Sequence, residues 1–154
     1  MMEKSILDKE IIYRKAKKTD FEQYYRLNKL YDDEYKKITF NEQFFKNSHK
    51  FVMNEFEDKL KNYFIVAEIG KEIIGYFEGI FNDRYKNAYI ADVFVLKEYR
   101  KLNIATKMKD LFLEKLKKRK YKEVRLDVNI KNPAINLYNN WGFEITKYRM
   151  VKKL

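Results

Sequence analysis

The alternation of apolar and polar positions changes period several times along the chain, and each change marks an element. Ile11 to Lys15 reads as a short strand. Thr19-Asp20-Phe21-Glu22 then presents a Ser/Thr-x-x-Glu capping box that opens a helix, with Phe21, Tyr24, Tyr25 and Asn28 to Tyr31 on its largely apolar face. Phe45, Val52, Phe56 and Leu60 recur at nearly helical spacing and predict a second helix from about Asn41 to Lys61. From Tyr63 the period changes. Tyr63 to Ile69, a Gly70-Lys71 turn, Ile73 to Phe81, a polar turn at Asn82 to Asn87, and Ala88 to Leu96 predict a three-stranded antiparallel meander. Ile104 to Arg119 is the clearest helix: Ile104, Met108, Leu111, Phe112 and Leu116 form its stripe, and Lys107, Lys109, Lys117 and Lys118 lie away from it. Glu123 to Asn129 reads as a strand, Ala134 to Asn140 as a short helix, and Phe143 to Val151 as one or two closing strands. The crossover helix between the strands at 88–96 and 123–129 makes strands four and five parallel inside a mixed α/β sheet.

Composition narrows the class. The chain has 154 residues, 45% of them apolar, with 13 Tyr, 12 Phe and 1 Trp, enough for one packed domain over 1–154 with residues 1–10 as a loose extension. The longest apolar runs, such as Val93 to Leu96, fall far short of the roughly 20 residues that span a bilayer. The start lacks an apolar secretory segment, so a cytoplasmic protein is expected. With no Cys and a single His, neither thiolate chemistry nor a metal site is expected.

Charge adds a direction. The 34 basic and 23 acidic side chains sum to +11; 27 of the basic ones are Lys, a bias that A/T-rich coding alone produces. Placement says more: residues 97–125 carry 12 basic and 4 acidic side chains, whereas 31–60 carry 7 acidic and 5 basic ones. A compact anion is expected to dock on the first region.

The segment from Val93 to Thr106 joins an apolar strand to the start of the basic helix. A helix start offers unsatisfied N–H groups and the positive end of the macrodipole, so this junction suits a phosphate group. Asn103 and Ala105 allow close approach to the backbone, and Arg100 and Lys101 add fixed charge. An ordinary strand-to-helix turn with solvated charges has the same pattern. In the stretch from Asn129 to Phe143, Pro133 fits the first turn of a helix, Asn132 its N-cap and Gly142 its exit. Taken alone, Tyr138 reads first as a core aromatic and only second as a general acid held on a leaving group.

Together these stretches resemble the GCN5-related N-acetyltransferase (GNAT) family over nearly the whole chain. The family's R/Q-x-x-G-x-G/A loop appears as Arg100-Lys101-Leu102-Asn103-Ile104-Ala105, and its later N-x-x-A-x-x-x-Y-x-x-x-G-F pattern is met by Ala134, Tyr138, Gly142 and Phe143. Arg14, Ala16 and Asp20 match the R-x-A-x-x-x-D opening, and Ile65-Val66-Ala67 with Ile74-Gly75 the second and third strands. The first loop Gly is replaced by Asn103, which tolerates positive φ, and Lys131 stands where the family has Asn, with Asn132 one position later.

The resemblance implies a GNAT-like sheet of six or seven strands, largely antiparallel with a central parallel pair, flanked by about four helices. It also implies acetyl-CoA as co-substrate. The cofactor arm would lie in a gap between strands four and five against the backbone of Val93, Phe94 and Val95, with the pyrophosphate on the stretch from Arg100 to Thr106, including Ile104, and the pantetheine near Asn132. A primary amine would attack the thioester directly in a ternary complex, Asp92 or Glu78 would accept its proton, and Tyr138 would protonate the departing thiolate. Asp32, Asp33, Glu34, Glu55, Glu57 and Asp58 on the acceptor side suggest a cationic acceptor, such as a polyamine or a protein or peptide amine. A homodimer is left open. Two other readings of the basic chain are a nucleic-acid or anionic-surface binding domain and a non-catalytic CoA-binding module; nucleic acid is disfavoured because the charge gathers on one loop and helix.

Overall fold

The computed structural model describes residues 10–38 and 47–154. Five strands, β1 (Ile11–Lys15), β2 (Tyr63–Ile69), β3 (Glu72–Asn82), β4 (Asn87–Val95) and β5 (Glu123–Arg125), form one sheet in sequence order. β1 to β4 pair antiparallel and β4 and β5 pair parallel, as the crossover logic requires. Among the described residues four helices flank the sheet: α1 (Phe21–Tyr35), α2 (His49–Lys59), α3 (Ile104–Lys118) and α4 (Ile135–Asn140). The expected loose N-terminal extension lies, apart from Glu10, outside the described residues, as does the predicted first part of α2.

Each face of the sheet has its own aromatic cluster. On one, Tyr24 from α1 packs against Phe56 of α2 at 4.9 Å and Tyr76 of β3 at 5.0 Å between ring centroids. On the other, Phe112 of α3 meets Tyr63, Phe77 and Phe81 at 5.1, 5.5 and 5.4 Å. The β3 residue beneath that ring is Gly79, where a Cβ would overlap Phe112, so the missing side chain sets how closely α3 approaches the sheet.

Several sequence-based expectations change. The closing strands at 143–151 do not form, and the sheet has five strands among the described residues instead of six or seven. The segment alternates like a strand, yet Ile145, Tyr148 and Val151 are 60%, 78% and 82% exposed, and β5 ends at Arg125 instead of Asn129, leaving no long paired edge to receive it. Nor does Thr19 cap α1. Its neighbour Asp20 turns its carboxylate back to the Lys17 N–H at 2.7 Å and to both terminal nitrogens of Arg14 at 2.8 and 2.9 Å. The R-x-A-x-x-x-D pattern is thus a bracket joining β1 to the start of α1. Ser48 caps α2, its hydroxyl accepting from the Phe51 N–H. Lys109, expected on the outer face of α3, is buried: Asp110 pairs with it at 2.5 Å and the Trp141 ring covers it at 5.4 Å.

Candidate active site

The site begins where β4 changes partner. Glu78 of β3 lies opposite Asp92 and Gly79 opposite Ile90, so Ala91 is an extra residue on β4. Such a bulge twists a strand and re-aims the next side chains. The last β4–β5 pair is Tyr89 with Arg125, immediately before it. From Ile90 to Val95 the β4 edge facing β5 therefore has no strand partner among the described residues, which is the predicted gap. Val93, Phe94 and Val95 lie along it.

The chain leaves β4 through a 3₁₀ turn at Lys97–Tyr99 and enters α3 after Asn103, which has φ 62°. Lys101 is also left-handed, with φ 64°. The first helical bond closes from the Lys107 N–H to the Asn103 carbonyl, so the N–H groups of Ile104, Ala105 and Thr106 precede the hydrogen-bonded ladder. The shape suits an anion, and Asn103 adopts the conformation its residue type tolerates. Arg100 is arranged otherwise than its motif position suggests. Its Nε donates to the Val95 carbonyl at 2.8 Å, its Nη2 pairs with Glu34 of α1 at 2.8 Å, and its guanidinium lies 5.5 Å from the Phe94 ring centroid. It braces the loop against β4 and α1, while Lys101 and Lys107, with no ion pair among the described residues, carry the free charge beside the loop.

On the α1 and α2 face, Asp92 and Glu78 are cross-strand neighbours with side chains 12% and 5% exposed. Lys59, the last residue of α2, bridges them, donating to Glu78 Oε2 at 2.6 Å and Asp92 Oδ2 at 3.2 Å. Asn62 donates to the other Glu78 oxygen at 2.8 Å. Burial raises the Asp92 pKa and Glu78 adds to the rise, opposed by Lys59 and by the Val93 N–H. Of the six acidic residues expected to shape this side, four are occupied elsewhere: Glu34 with Arg100, Asp33 with Lys36, Asp58 with Lys61 and Glu57 with Lys18. Asp32 and Glu55 remain. Burial raises both pKa values, Asp92 contributes to both, and Asp32 Oδ2 has no hydrogen-bond partner among the described residues.

Helix α4 brings Tyr138 to the same centre. Burial, then Asp92 and Tyr35, push its phenol up to about 12, so it holds its proton at neutral pH. Asn132 caps the turn before α4, its side-chain oxygen accepting from the Ala134 N–H at 2.9 Å. Trp141 donates from its indole to Thr106 Oγ1 at 3.1 Å, tying α4 to the first turn of α3.

The acetyltransferase (GNAT) family model matches residues 22–143. The chain belongs to this family. An N-alpha-acetyltransferase of Sulfurisphaera tokodaii is 30% identical to it, the match covering 90% of this chain and 83% of that protein. The structure of PaiA N-acetyltransferase from Thermoplasma acidophilum in complex with coenzyme A superposes with a TM-score of 0.74 at 20% identity, covering 90% of this chain and 92% of that one. An aminoglycoside N-acetyltransferase in complex with CoA gives 0.73 at 15% identity, covering 94% of both. As a GNAT acyltransferase, the protein falls in a family whose co-substrate is acetyl-CoA. The residues present fit that group: an open β4 edge, left-handed positions before α3 and free cations beside them.

Sequence reasoning about this acetyltransferase missed two residues. Lys59 passes unmarked, because nothing local distinguishes a lysine that meets carboxylates 19 and 33 positions away. Trp141 carried a faint signal: it is the single Trp, one residue before the Gly exit of α4.

Proposed function

We propose that this acetyltransferase moves the acetyl group of acetyl-CoA to a cationic primary amine by direct attack in a ternary complex. Bound acetyl-CoA supplies the acetyl group as a thioester, the electrophile for the amine. The backbone of Val93, Phe94 and Val95 holds the pantetheine arm by strand-like hydrogen bonding, and a Val93-side N–H polarises the thioester carbonyl. The stretch from Arg100 to Thr106 cradles the pyrophosphate: Asn103 to Thr106 offer backbone, Lys101 charge and Arg100 bracing. Asn132 shapes the pantetheine side through the turn it closes before α4.

Asp92 takes the proton of the acceptor ammonium, which at a reference pKa of about 10.4 for an alkyl amine is charged at neutral pH. Glu78 anchors Lys59 beside it. Tyr138, protonated at neutral pH, gives its proton to the departing thiolate. The observation that carries the charge of the acceptor is the crowding of Glu55, Glu78 and Asp92 around Lys59, with Asp32, which Lys29 and Lys36 partly offset, adding negative charge beside Asp92. An amine bearing a further positive group supplies the missing charge. The Sulfurisphaera relative favours, as a second reading, the α-amino terminus of a protein or basic peptide as that amine.

Thiol release from acetyl-CoA across spermidine, a basic peptide with a free amino terminus, a neutral amine and an amino acid tests the reading. The cationic acceptors should win, with a KM that rises with salt as the Debye length falls from about 10 Å at 0.1 M to about 3 Å at 1 M. A neutral or anionic best acceptor, or a KM indifferent to salt, overturns the cationic pocket. Absence of calorimetric binding at millimolar acetyl-CoA overturns the cofactor site.

A further inference from the structure

Asp92 and Glu78 face each other directly across β3 and β4, both largely withdrawn from water. Two carboxylates so placed repel, and without a counter-charge one of them keeps its proton. Lys59 supplies that counter-charge from the last position of α2, the helix end where a cation is favoured. The bridge is unequal. Glu78 takes the 2.6 Å bond and has its second oxygen filled by Asn62, whereas Asp92 receives the longer 3.2 Å bond and the Val93 N–H. Glu78, with the shorter bond from Lys59 and its other oxygen held by Asn62, is therefore the firmer anchor, and Asp92 keeps acceptor capacity.

We propose that Lys59 is a positioning residue for acetyl transfer: anchored on Glu78, its ammonium holds the Asp92 carboxylate ionised and ready to accept the acceptor's proton. This rests on the reading of Asp92 as the proton acceptor. The other charged and titratable groups around Asp92 oppose its ionisation or leave it to Lys59. Asp32 of α1 and Glu55 of α2 add negative charge. Tyr24 and Tyr31 of α1, Tyr76 of β3 and Tyr138 of α4 have phenols raised by burial, with Asp92 next among the causes, so they stay neutral. Lys59 is the cation bonded to the carboxylate, and no acetyl or proton need pass through it.

The test is the acid limb of the pH profile of kcat/KM, measured with acetyl-CoA and either spermidine or a basic peptide with a free amino terminus, whichever acceptor is faster. The acceptor's own ionisation is then common to every variant. Asp92→Asn should abolish most turnover while leaving acetyl-CoA affinity by calorimetry unchanged; full turnover in this variant overturns the assignment of Asp92 itself. With Asp92 required, Lys59→Met should move the acid limb to higher pH, because loss of the cation favours the protonated carboxyl, by about one to three pH units. Lys59→Arg should keep the limb near its parental position. An unmoved limb in Lys59→Met, with Asp92 still required, overturns the role of Lys59 alone. Glu78→Gln gives an independent arm where Lys59→Met fails to fold: removal of the like charge leaves Lys59 to Asp92, and the limb should move to lower pH. A limb that stays in place, or moves up, overturns the proposal.

Discussion

The two sides of the β4 edge are built by different means. The side running from the β4 edge into α3 is contiguous in sequence, and its geometry comes from backbone: a bulge at Ala91, left-handed φ at Lys101 and Asn103, and unladdered N–H groups at the start of a helix. The side facing α1 and α2 is assembled from side chains far apart in sequence, Asp32, Lys59, Glu78 and Asp92, and its geometry comes from charge balance in a poorly solvated place. A backbone site tolerates many side chains. A site of coupled charges does not, since changing one member shifts the ionisation of the others. Substitutions on the first side should therefore act through affinity and those on the second through protonation and acceptor recognition.

Tyr138 stands where the two sides meet and should give the largest effect. Tyr138→Phe keeps the ring that packs at 5.4 Å from Trp141 and removes only the hydroxyl. Turnover should fall by about 10²- to 10⁴-fold, with acetyl-CoA affinity and melting temperature nearly unchanged. Steady-state kinetics beside calorimetry checks this, and unchanged turnover would make Tyr138 a packing residue, leaving the two sides without a shared catalyst.

The same contrast explains what could be read beforehand. The meander, the basic helix and the parallel pair were legible because periodicity and turn residues are local, and the loop from Arg100 to Ala105 because its motif is contiguous. Asn103 was legible too, since positive φ is a property of one residue. The acidic cluster was legible only in part, because counting carboxylates does not reveal that Glu34, Asp33, Glu57 and Asp58 have their own cations. Lys59 was invisible for the complementary reason: its importance depends on the cross-strand register of Glu78 and Asp92. The tail from Phe143 was overread, because alternation is necessary for a strand while a free partner edge is what completes one.

On the backbone side, Asn103 is the sharpest probe. Asn103→Gly should preserve or tighten acetyl-CoA binding, since Gly takes φ 62° without a Cβ penalty. Asn103→Val places a β-branched residue in the same conformation, at a strain of about 1–3 kcal/mol. About tenfold weaker acetyl-CoA binding, with the acceptor KM unchanged, is the expected calorimetric and kinetic signature. Weaker binding in both variants would show that the Asn side chain itself matters, and the side would then not be purely backbone.

On the charge-balanced side, Asp32→Asn should move stability and recognition in opposite directions. The native carboxyl is buried, one oxygen lacks a partner, and burial raises its pKa above the ordinary value of 3.8. A raised carboxyl pKa means that folding is penalised where the unfolded group is ionised, at neutral pH, and that the penalty fades as the pH falls through the native value. The variant should gain about 1 kcal/mol near pH 7 and progressively less toward acid. Its KM for a multiply charged amine should rise a few-fold, because one attracting charge is gone. Denaturant melts across pH and acceptor kinetics check the two halves; a loss of stability at neutral pH would mean that the Lys29 and Lys36 charges outweigh the cost of burying the carboxylate.

The smallest effect should come from the contact that joins the two sides. Glu34 on α1 holds Arg100, which in turn holds the Val95 carbonyl at the end of β4. The pair is partly exposed, at 38% and 46% for the two side chains, so its direct worth is limited to about 0.2–1 kcal/mol and salt screens it further. Glu34→Gln should therefore leave the melting temperature within a degree or two of the parent, on the scale that 1 kcal/mol shifts a domain of this size by roughly 2–8 °C. Arg100 retains its bond to Val95 and its place over Phe94, so the loop keeps its path. What changes is the freedom of the guanidinium: released from Glu34, it can turn toward the loop and add its charge to that of Lys101. Acetyl-CoA affinity should consequently rise slightly, by less than about threefold, at low salt and return to the parental value at high salt. A fall in affinity would mean that Glu34 is needed to orient Arg100 on the cofactor side, and the acceptor-side helix α1 would then be part of the cofactor site.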